Sequence, residues 1–164
     1  MSNKKKVLIT GASGLLGSQL ARTFKDKKYE VLAVFNQKPE FVASGIEMLK
    51  CDISNRDEVM SLKKRIKASS LIIHCAAITD VDLCEKDNGL CSSVNIEGTK
   101  NICELASKTK SQLIYISTSS VFDGKTGNYK ETDKPSPVNY YNFSKVEGEK
   151  VVLKYEKGIA VRMI

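Results

Sequence analysis

Short apolar runs alternate with longer amphipathic stretches along almost the whole chain. Six runs read as strands: Lys6–Thr10, Glu30–Phe35, Ile46–Lys50, Leu71–His74, Gln112–Ser117 and Gly158–Ile164. Between them apolar residues recur at helical spacing, first at Leu16, Leu20 and Phe24, then at Val59, Leu62 and Ile66. A later helix is expected through Val94, Ile102 and Leu105, and another from about Tyr141 to Tyr155. Strands that are apolar throughout are buried on both faces, as in a parallel sheet covered by its crossover helices. The pattern therefore predicts an α/β fold with a doubly wound parallel sheet. One segment lacks any period: Asp123 to Asn139 holds two glycines and all but one of the prolines. A loop of that length inside a compact domain is expected to serve function.

Composition narrows the class. The 164 residues suffice for one domain with a real core, and 41% apolar with 27% charged residues is ordinary for a globular protein. The longest apolar run, Leu71 to Ile78, is broken by His74 and falls far short of the roughly 20 residues that span a bilayer. Val7 to Ile9, after Lys4 to Lys6, is too short for a signal-peptide core. A soluble cytoplasmic protein with no membrane contact is expected. The net charge of +7 raises the question of a nucleic-acid partner. The lysines are scattered, however, with short clusters only at Lys4–Lys6 and Lys63–Arg65 and no interleaved aromatics, so solvated helix faces account for them. Five cysteines without a C-x-x-C pair, and one histidine, give no metal-ligand spacing and read as reduced thiols.

The first strand carries the strongest chemical signal. Val7-Leu8-Ile9-Thr10 runs into Gly11-Ala12-Ser13-Gly14-Leu15-Leu16-Gly17 and then an amphipathic helix. Gly11 would let the chain turn sharply, Gly14 would let backbone approach a pyrophosphate, and Gly17 would let the helix pack close to the sheet. N–H groups at the helix start would meet the phosphate charge, with Gly11, Ser13, Gly14, Leu15 and Leu16 as contacts. This is the dinucleotide-binding signature of a Rossmann fold. The second strand ends Ala33-Val34-Phe35-Asn36-Gln37-Lys38 without the carboxylate that would bind a ribose 2′-hydroxyl. Asn36 and Lys38 would tolerate a 2′-phosphate, so NADP (NADPH) is expected rather than NAD. Residues 1–164 are expected to form this one domain. The last strand runs to the final residue, so the domain is expected to be C-terminally truncated, with its substrate lobe absent from this chain.

Further along, Tyr141-Asn142-Phe143-Ser144-Lys145 places a tyrosine and a lysine four apart on one helix face. Upstream, Ser117, Thr118, Ser119 and Ser120 put hydroxyls at the C-terminal end of the fifth strand, where open α/β sheets bind ligands. Tyr141 could protonate a carbonyl oxygen as hydride arrives, with its phenolate stabilised by Lys145 and an oxidised nicotinamide. Thr118 would polarise that carbonyl.

With Cys51-Asp52-Ile53, His74-Cys75-Ala76-Ala77-Ile78 and Val94-Asn95-Ile96-Glu97-Gly98-Thr99 added, the chain resembles the extended short-chain dehydrogenase/reductase family over essentially its whole length. The resemblance implies that Asp52 and Ile53 flank the adenine, that Ala76, Ala77 and Ile78 line the cofactor, that Tyr141 and Lys145 also touch it, and that Asn95 braces the sheet. Within the family, Ser117-Thr118-Ser119-Ser120-Val121-Phe122-Asp123-Gly124 is similar to the S-T-D-Y-V-F-D-G of the dTDP-4-dehydrorhamnose reductase group. Tyr129-Lys130-Glu131-Thr132-Asp133, Pro137 to Tyr141 and Ser144 to Glu149 continue that likeness. It implies NADPH-dependent reduction of a 4-keto-6-deoxy nucleotide sugar in polysaccharide synthesis, with Thr118 and Ser119 facing substrate and a homodimer as a possible assembly. Ser119-Ser120 stands where that group has Asp-Tyr, and Asn142 where it has glycine, which bears on substrate contacts. Two other readings stay open: a 4-epimerase of the same family, and an NADP-binding partner subunit like the regulatory β-subunit of methionine adenosyltransferase.

Overall fold

The structure, a computed structural model, describes residues 5–37, 45–66, 68 and 70–164. Six strands, β1 (Lys6–Thr10), β2 (Glu30–Phe35), β3 (Glu47–Lys50), β4 (Leu71–His74), β5 (Gln112–Thr118) and β6 (Gly158–Met163), form one sheet in the order β3-β2-β1-β4-β5-β6. Every neighbouring pair is parallel. The order reverses between β1 and β4, and the crevice outside their carboxyl ends is where such sheets take ligands.

The helices are α1 (Leu15–Asp26), α2 (Arg56–Ser61) with a 3-10 turn at Leu62–Arg65, α3 (Val81–Lys86), α4 (Asn88–Cys91), α5 (Gly98–Thr109) and α6 (Tyr140–Leu153). Alternation along the central strands sends side chains to two separate cores. Val7, Ile9, Val31 and Ile73 pack with Ala21, Leu20 and Phe24 of α1 on one face. Leu8, Leu32, Ile72, Leu113 and Tyr115 pack with Val59, Ile102, Leu105 and Val152 on the other. Each fully buried aliphatic side chain there contributes about 1.5–3 kcal/mol. The doubly wound architecture expected from the sequence is therefore present.

Two local features differ from the expected pattern. The helix expected through Val94 is not one regular piece. Short α3 and α4 precede it, Val94 itself lies in a π-helical stretch at Ser92–Glu97, and the helix becomes regular at α5. Asp80 and Asp87 cap α3 and α4 by accepting from Leu83 N and Leu90 N, which starts each short helix afresh. The sheet is also not covered on both faces throughout. In β6, Ile159, Val161 and Met163 remain about two-fifths exposed, whereas Gly158, Ala160 and Arg162 are in register with Leu113, Tyr115 and Ser117 of β5.

Glycines set the close approaches. A Cβ at Gly148 of α6 would collide with the Tyr115 hydroxyl, so glycine there lets α6 lie directly on β5 with the buried Tyr115 side chain in place.

Candidate functional site

A cavity of about 680 Å³ opens at the carboxyl ends of β1, β2, β3 and β4. Its wall includes Gly11, Ser13, Gly14, Leu15 and Leu16 from the glycine loop, Asn36 after β2, and Asp52 and Ile53 after β3. Ala76, Ala77 and Ile78 after β4 complete it, so the expected contacts outside α6 converge on one space. Lys38, expected beside a 2′-phosphate, lies outside the described residues. A smaller depression of about 410 Å³ at Lys110, Gln112 and Glu156 to Ile159 lies at the opposite, amino end of β5 and β6.

The glycine loop is built by sterics. Gly11 has φ of 65°, and a Cβ there would stand 2.7 Å from the Ala76 nitrogen. Gly17 lies against the Gly11 carbonyl oxygen so closely that a Cβ would overlap it. The helix that follows starts at Leu15 with no side-chain cap and no acidic residue in its first turn. By contrast, α2, α3, α4 and α6 are capped by Asn55, Asp80, Asp87 and Asn139. The start of α1, where Gly14, Leu15 and Leu16 line the cavity, thus has no side-chain cap, an arrangement suited to an anion.

The far wall is held by polar side chains. Asp52 Oδ1 accepts from Ser54 N (2.9 Å) and Ser54 Oγ (2.7 Å), and Glu58 accepts from Asp52 N (2.8 Å). Asn101 donates to the Ile53 carbonyl (2.9 Å). Asn95 was expected to brace the sheet; its bonds go instead to a loop and a helix. Its Oδ1 accepts from Ile78 N (2.8 Å), and its Nδ2 donates to Ile78 O (3.0 Å) and Ser144 Oγ (2.9 Å). Ser144 in turn donates to the Tyr141 carbonyl (2.6 Å).

Thr118 ends β5, and its Oγ1 accepts from Ser120 N (3.1 Å), which leaves the hydroxyl proton to donate elsewhere. Ser119 opens the 3-10 turn that follows. Tyr141 lies half-buried in the first turn of α6, started by Asn139, whose Oδ1 accepts from Asn142 N (2.8 Å). Lys145 is buried one turn on. Its Nζ donates to the Ile116 carbonyl (2.7 Å) and stands 4.2 Å from the Tyr115 ring centre. Ile116 also lines the cavity, so the lysine is anchored to its wall, although Thr118, Tyr141 and Lys145 stand outside that lining. Burial pushes the lysine down to about 8. The phenol of Tyr141 was expected to be lowered by Lys145 and an oxidised nicotinamide together. In this structure burial pushes it up, with Cys84 and Cys91 adding to the rise.

The aperiodic segment after Thr118 is organised by its own side chains. Phe122 and Tyr129 stack with ring centres 4.4 Å apart, and Tyr129 donates to Asp123 (2.5 Å). Arg162 of β6 lies over Phe122, 4.9 Å from the ring centre, and donates to the Glu131 carbonyl (3.4 Å). Its guanidinium also grips buried Glu149 of α6 at 3.0 and 2.8 Å, and Glu149 accepts from Ser117 at 2.6 Å. His74, Glu149 and Arg162 were not singled out as site residues from the sequence. Only the interruption of an apolar strand by His74 could have pointed to the first. Among the described residues no group of three or more His, Cys, Asp or Glu could hold a metal ion, and no helix is long and apolar enough to cross a membrane.

Residues 5–163 match the family described as the RmlD substrate binding domain. The dTDP-4-dehydrorhamnose reductase of Aggregatibacter actinomycetemcomitans is 39% identical over 150 residues, covering 90% of this chain and 47% of that protein. Methionine adenosyltransferase 2 subunit beta of Danio rerio is 35% identical over 158 residues, covering 96% of this chain and 46% of that one. Among solved structures, the dTDP-4-dehydrorhamnose reductase of Bacillus anthracis in complex with NADP superposes with a TM-score of 0.83 at 32% identity, over 99% of this chain and 54% of that one. The chain spans about half the length of the curated relatives it matches.

Proposed function

The chain belongs to the RmlD substrate binding domain family, and from that premise we propose that it binds NADP(H) and forms the cofactor half of a 4-keto-6-deoxy nucleotide-sugar reductase. The observation that carries this reading is the uncapped start of α1, packed behind a glycine loop and opening into the 680 Å³ cavity. The amides at that end are suited to a pyrophosphate, and the missing carboxylate at Asn36 suits a 2′-phosphate. The relative solved with NADP supports the same cofactor.

The bound nicotinamide would supply a hydride. The remaining chemistry belongs to the chain. Thr118 would donate its proton in a hydrogen bond to the substrate carbonyl oxygen and draw charge onto it. Tyr141 would deliver the proton that this oxygen needs. Lys145, fixed by the Ile116 carbonyl, would hold a positive charge beside the site below its pKa of about 8. Burial pushes the Tyr141 phenol up, and Lys145 together with the oxidised nicotinamide would act against that rise by stabilising the phenolate. Ser119 would face the sugar.

The test is titration with NADPH and NADH, followed by incubation with a 4-keto-6-deoxy nucleotide sugar. Saturable NADPH binding and net oxidation support the reductase. C4 inversion without net oxidation would assign an epimerase instead. Binding without any turnover would favour a partner-subunit role, a reading supported by the 35% identity to methionine adenosyltransferase 2 subunit beta. No binding of either cofactor would end the proposal.

A further inference from the structure

His74 is fully buried on a strand that is otherwise apolar, and both ring nitrogens have hydroxyl neighbours. Nδ1 lies 2.6 Å from Thr10 Oγ1, and Nε2 lies 3.1 Å from Thr99 Oγ1. Proton counting fixes the directions of these bonds. A hydroxyl has one proton, and that of Thr99 goes to the Asn95 carbonyl at 2.6 Å, the usual back-bond of a helical threonine. Thr99 must therefore accept from Nε2–H. Burial and the nearby charge of Lys145 keep the ring neutral, so Nδ1 is bare and accepts from the Thr10 hydroxyl. Thr10 in turn accepts from Ala76 N at 3.3 Å. One directed chain thus runs from the Ala76 amide through Thr10, His74 and Thr99 to the Asn95 carbonyl. The side chain of Asn95 then holds both the N–H and the carbonyl of Ile78, together with Ser144 on the Tyr141 helix.

From this geometry we infer that His74 is a positioning residue: an imidazole locked as the Nε2–H tautomer that fixes both ends of the Ala76–Ile78 wall and ties that wall to α6. The assignment rests on the reading above that this wall carries the cofactor. His74 is fully buried and lies outside the cavity lining, so it acts by setting where backbone stands. The wall also lies close to the glycine loop, because a Cβ added at Gly11 would stand 2.7 Å from the Ala76 nitrogen.

His74 is the sole histidine, so nitrogen-15 NMR of a uniformly labelled chain reads its tautomer without ambiguity. A protonated Nε2 and bare Nδ1, unchanged from pH 8 to pH 5, are expected. A protonated Nδ1, or titration near the ordinary imidazole value of about 6.5, overturns the lock. The functional arm compares Thr10→Val, which removes the bridging hydroxyl, with Thr10→Ser, which keeps it. NADPH affinity of folded Thr10→Val should fall about tenfold, and Thr10→Ser should stay within about threefold of the parent. Equal affinity for all three overturns the positioning role. If Thr10→Val does not fold, Thr99→Ser against Thr99→Ala applies the same comparison at the other ring nitrogen, with the same deciding outcomes. A parent chain that binds neither NADPH nor NADH sinks the cofactor reading alone, since the NMR result does not depend on it.

Discussion

β1 and β6 are parallel strands of one sheet, yet they fix the site by different means. Every residue of β1 is buried, between α1 on one face and the α2, α5 and α6 layer on the other. β6 alternates, with Ile159, Val161 and Met163 at 44%, 40% and 43% exposure. The β1 end of the site is made of backbone: a glycine turn, a helix start and the amides behind them. Packing alone can hold such parts to within a fraction of an ångström. The β5–β6 end is made of side chains, and there a polar set, buried Ser117 and Glu149 with partly buried Arg162, supplies the order that packing supplies at β1. Its loss should therefore do the most damage.

Arg162→Met leaves the carboxylate of Glu149 buried, with Ser117 as its remaining neighbour among the bonds described. Stranding a buried charge costs about 3–5 kcal/mol, readable as a shift in denaturant midpoint. The double variant Arg162→Met with Glu149→Gln should recover part of that loss, because the charge is gone. A single-variant loss below about 1 kcal/mol would mean that water solvates the pair and that β6 is ordered by something else.

At the β1 end the matching change is Gly11→Ala. The new Cβ meets backbone atoms of Ala76 at 2.7 and 2.8 Å, and φ of 65° strains any side chain, so a cost of about 2–3 kcal/mol is expected together with weaker NADPH binding. Gly14→Ala should cost less in stability. Its φ is an ordinary −81°, and the nearest atom to the new Cβ is the Gly11 oxygen at 3.3 Å. Equal losses at the two positions would show that the strain at Gly11 is relieved by movement of the Ala76 wall.

The two ends also differ in how far the sequence reveals them. All six strands and the glycine loop could be placed from local pattern, with β3 and β6 each one residue shorter than expected and β5 one residue longer. Apolar runs and glycine spacing are local signals, and the physics behind them is local too. Tyr141 and Lys145 were proposed from their spacing on one helix face, and Thr118 from its place at the end of the fifth strand. The long-range bonds around the site were not, because their partners are remote: Asn95, expected only to brace the sheet, meets Ser144 across 49 residues, and Thr10 meets His74 across 64. No period reports such pairs. The broken course of α3, α4 and the π-helical stretch escaped for a related reason: Asp80 and Asp87 each restart a helix inside a stretch that is otherwise compatible with one.

The pH dependence of stability offers a smaller and cleaner test of the buried β1–β4 region. Burial, reinforced by Lys145, lowers His74 from its ordinary value to about 3. Between those values the unfolded chain binds a proton that the folded chain does not. The contribution is therefore complete above about pH 6.5 and is lost as pH falls toward 3, at up to about 1.4 kcal/mol per pH unit. Most carboxylates titrate below pH 5, so the interval from 6.5 to 5 isolates the histidine, for a loss of about 2 kcal/mol. His74→Gln should flatten that interval in urea titrations. A parent chain equally stable at pH 6.5 and 5 would place the ring in contact with water.

The smallest effect, at Val161, is one half of a substitution made twice. Val→Thr keeps shape and replaces a methyl with a hydroxyl, so its cost measures the surroundings rather than the side chain. At Val7, with no exposed surface, the hydroxyl must leave water, and a loss of about 1–3 kcal/mol follows unless a backbone carbonyl accepts from it. At Val161, two-fifths exposed on the uncovered face of β6, the same change should stay within about 0.5 kcal/mol. The pair is read by parallel denaturant melts of the two variants, where only the difference matters. A clear loss at Val161 would show that this face of β6 is shielded from water in solution. The contrast between the two strands would then reflect what covers the sheet, not the strands themselves.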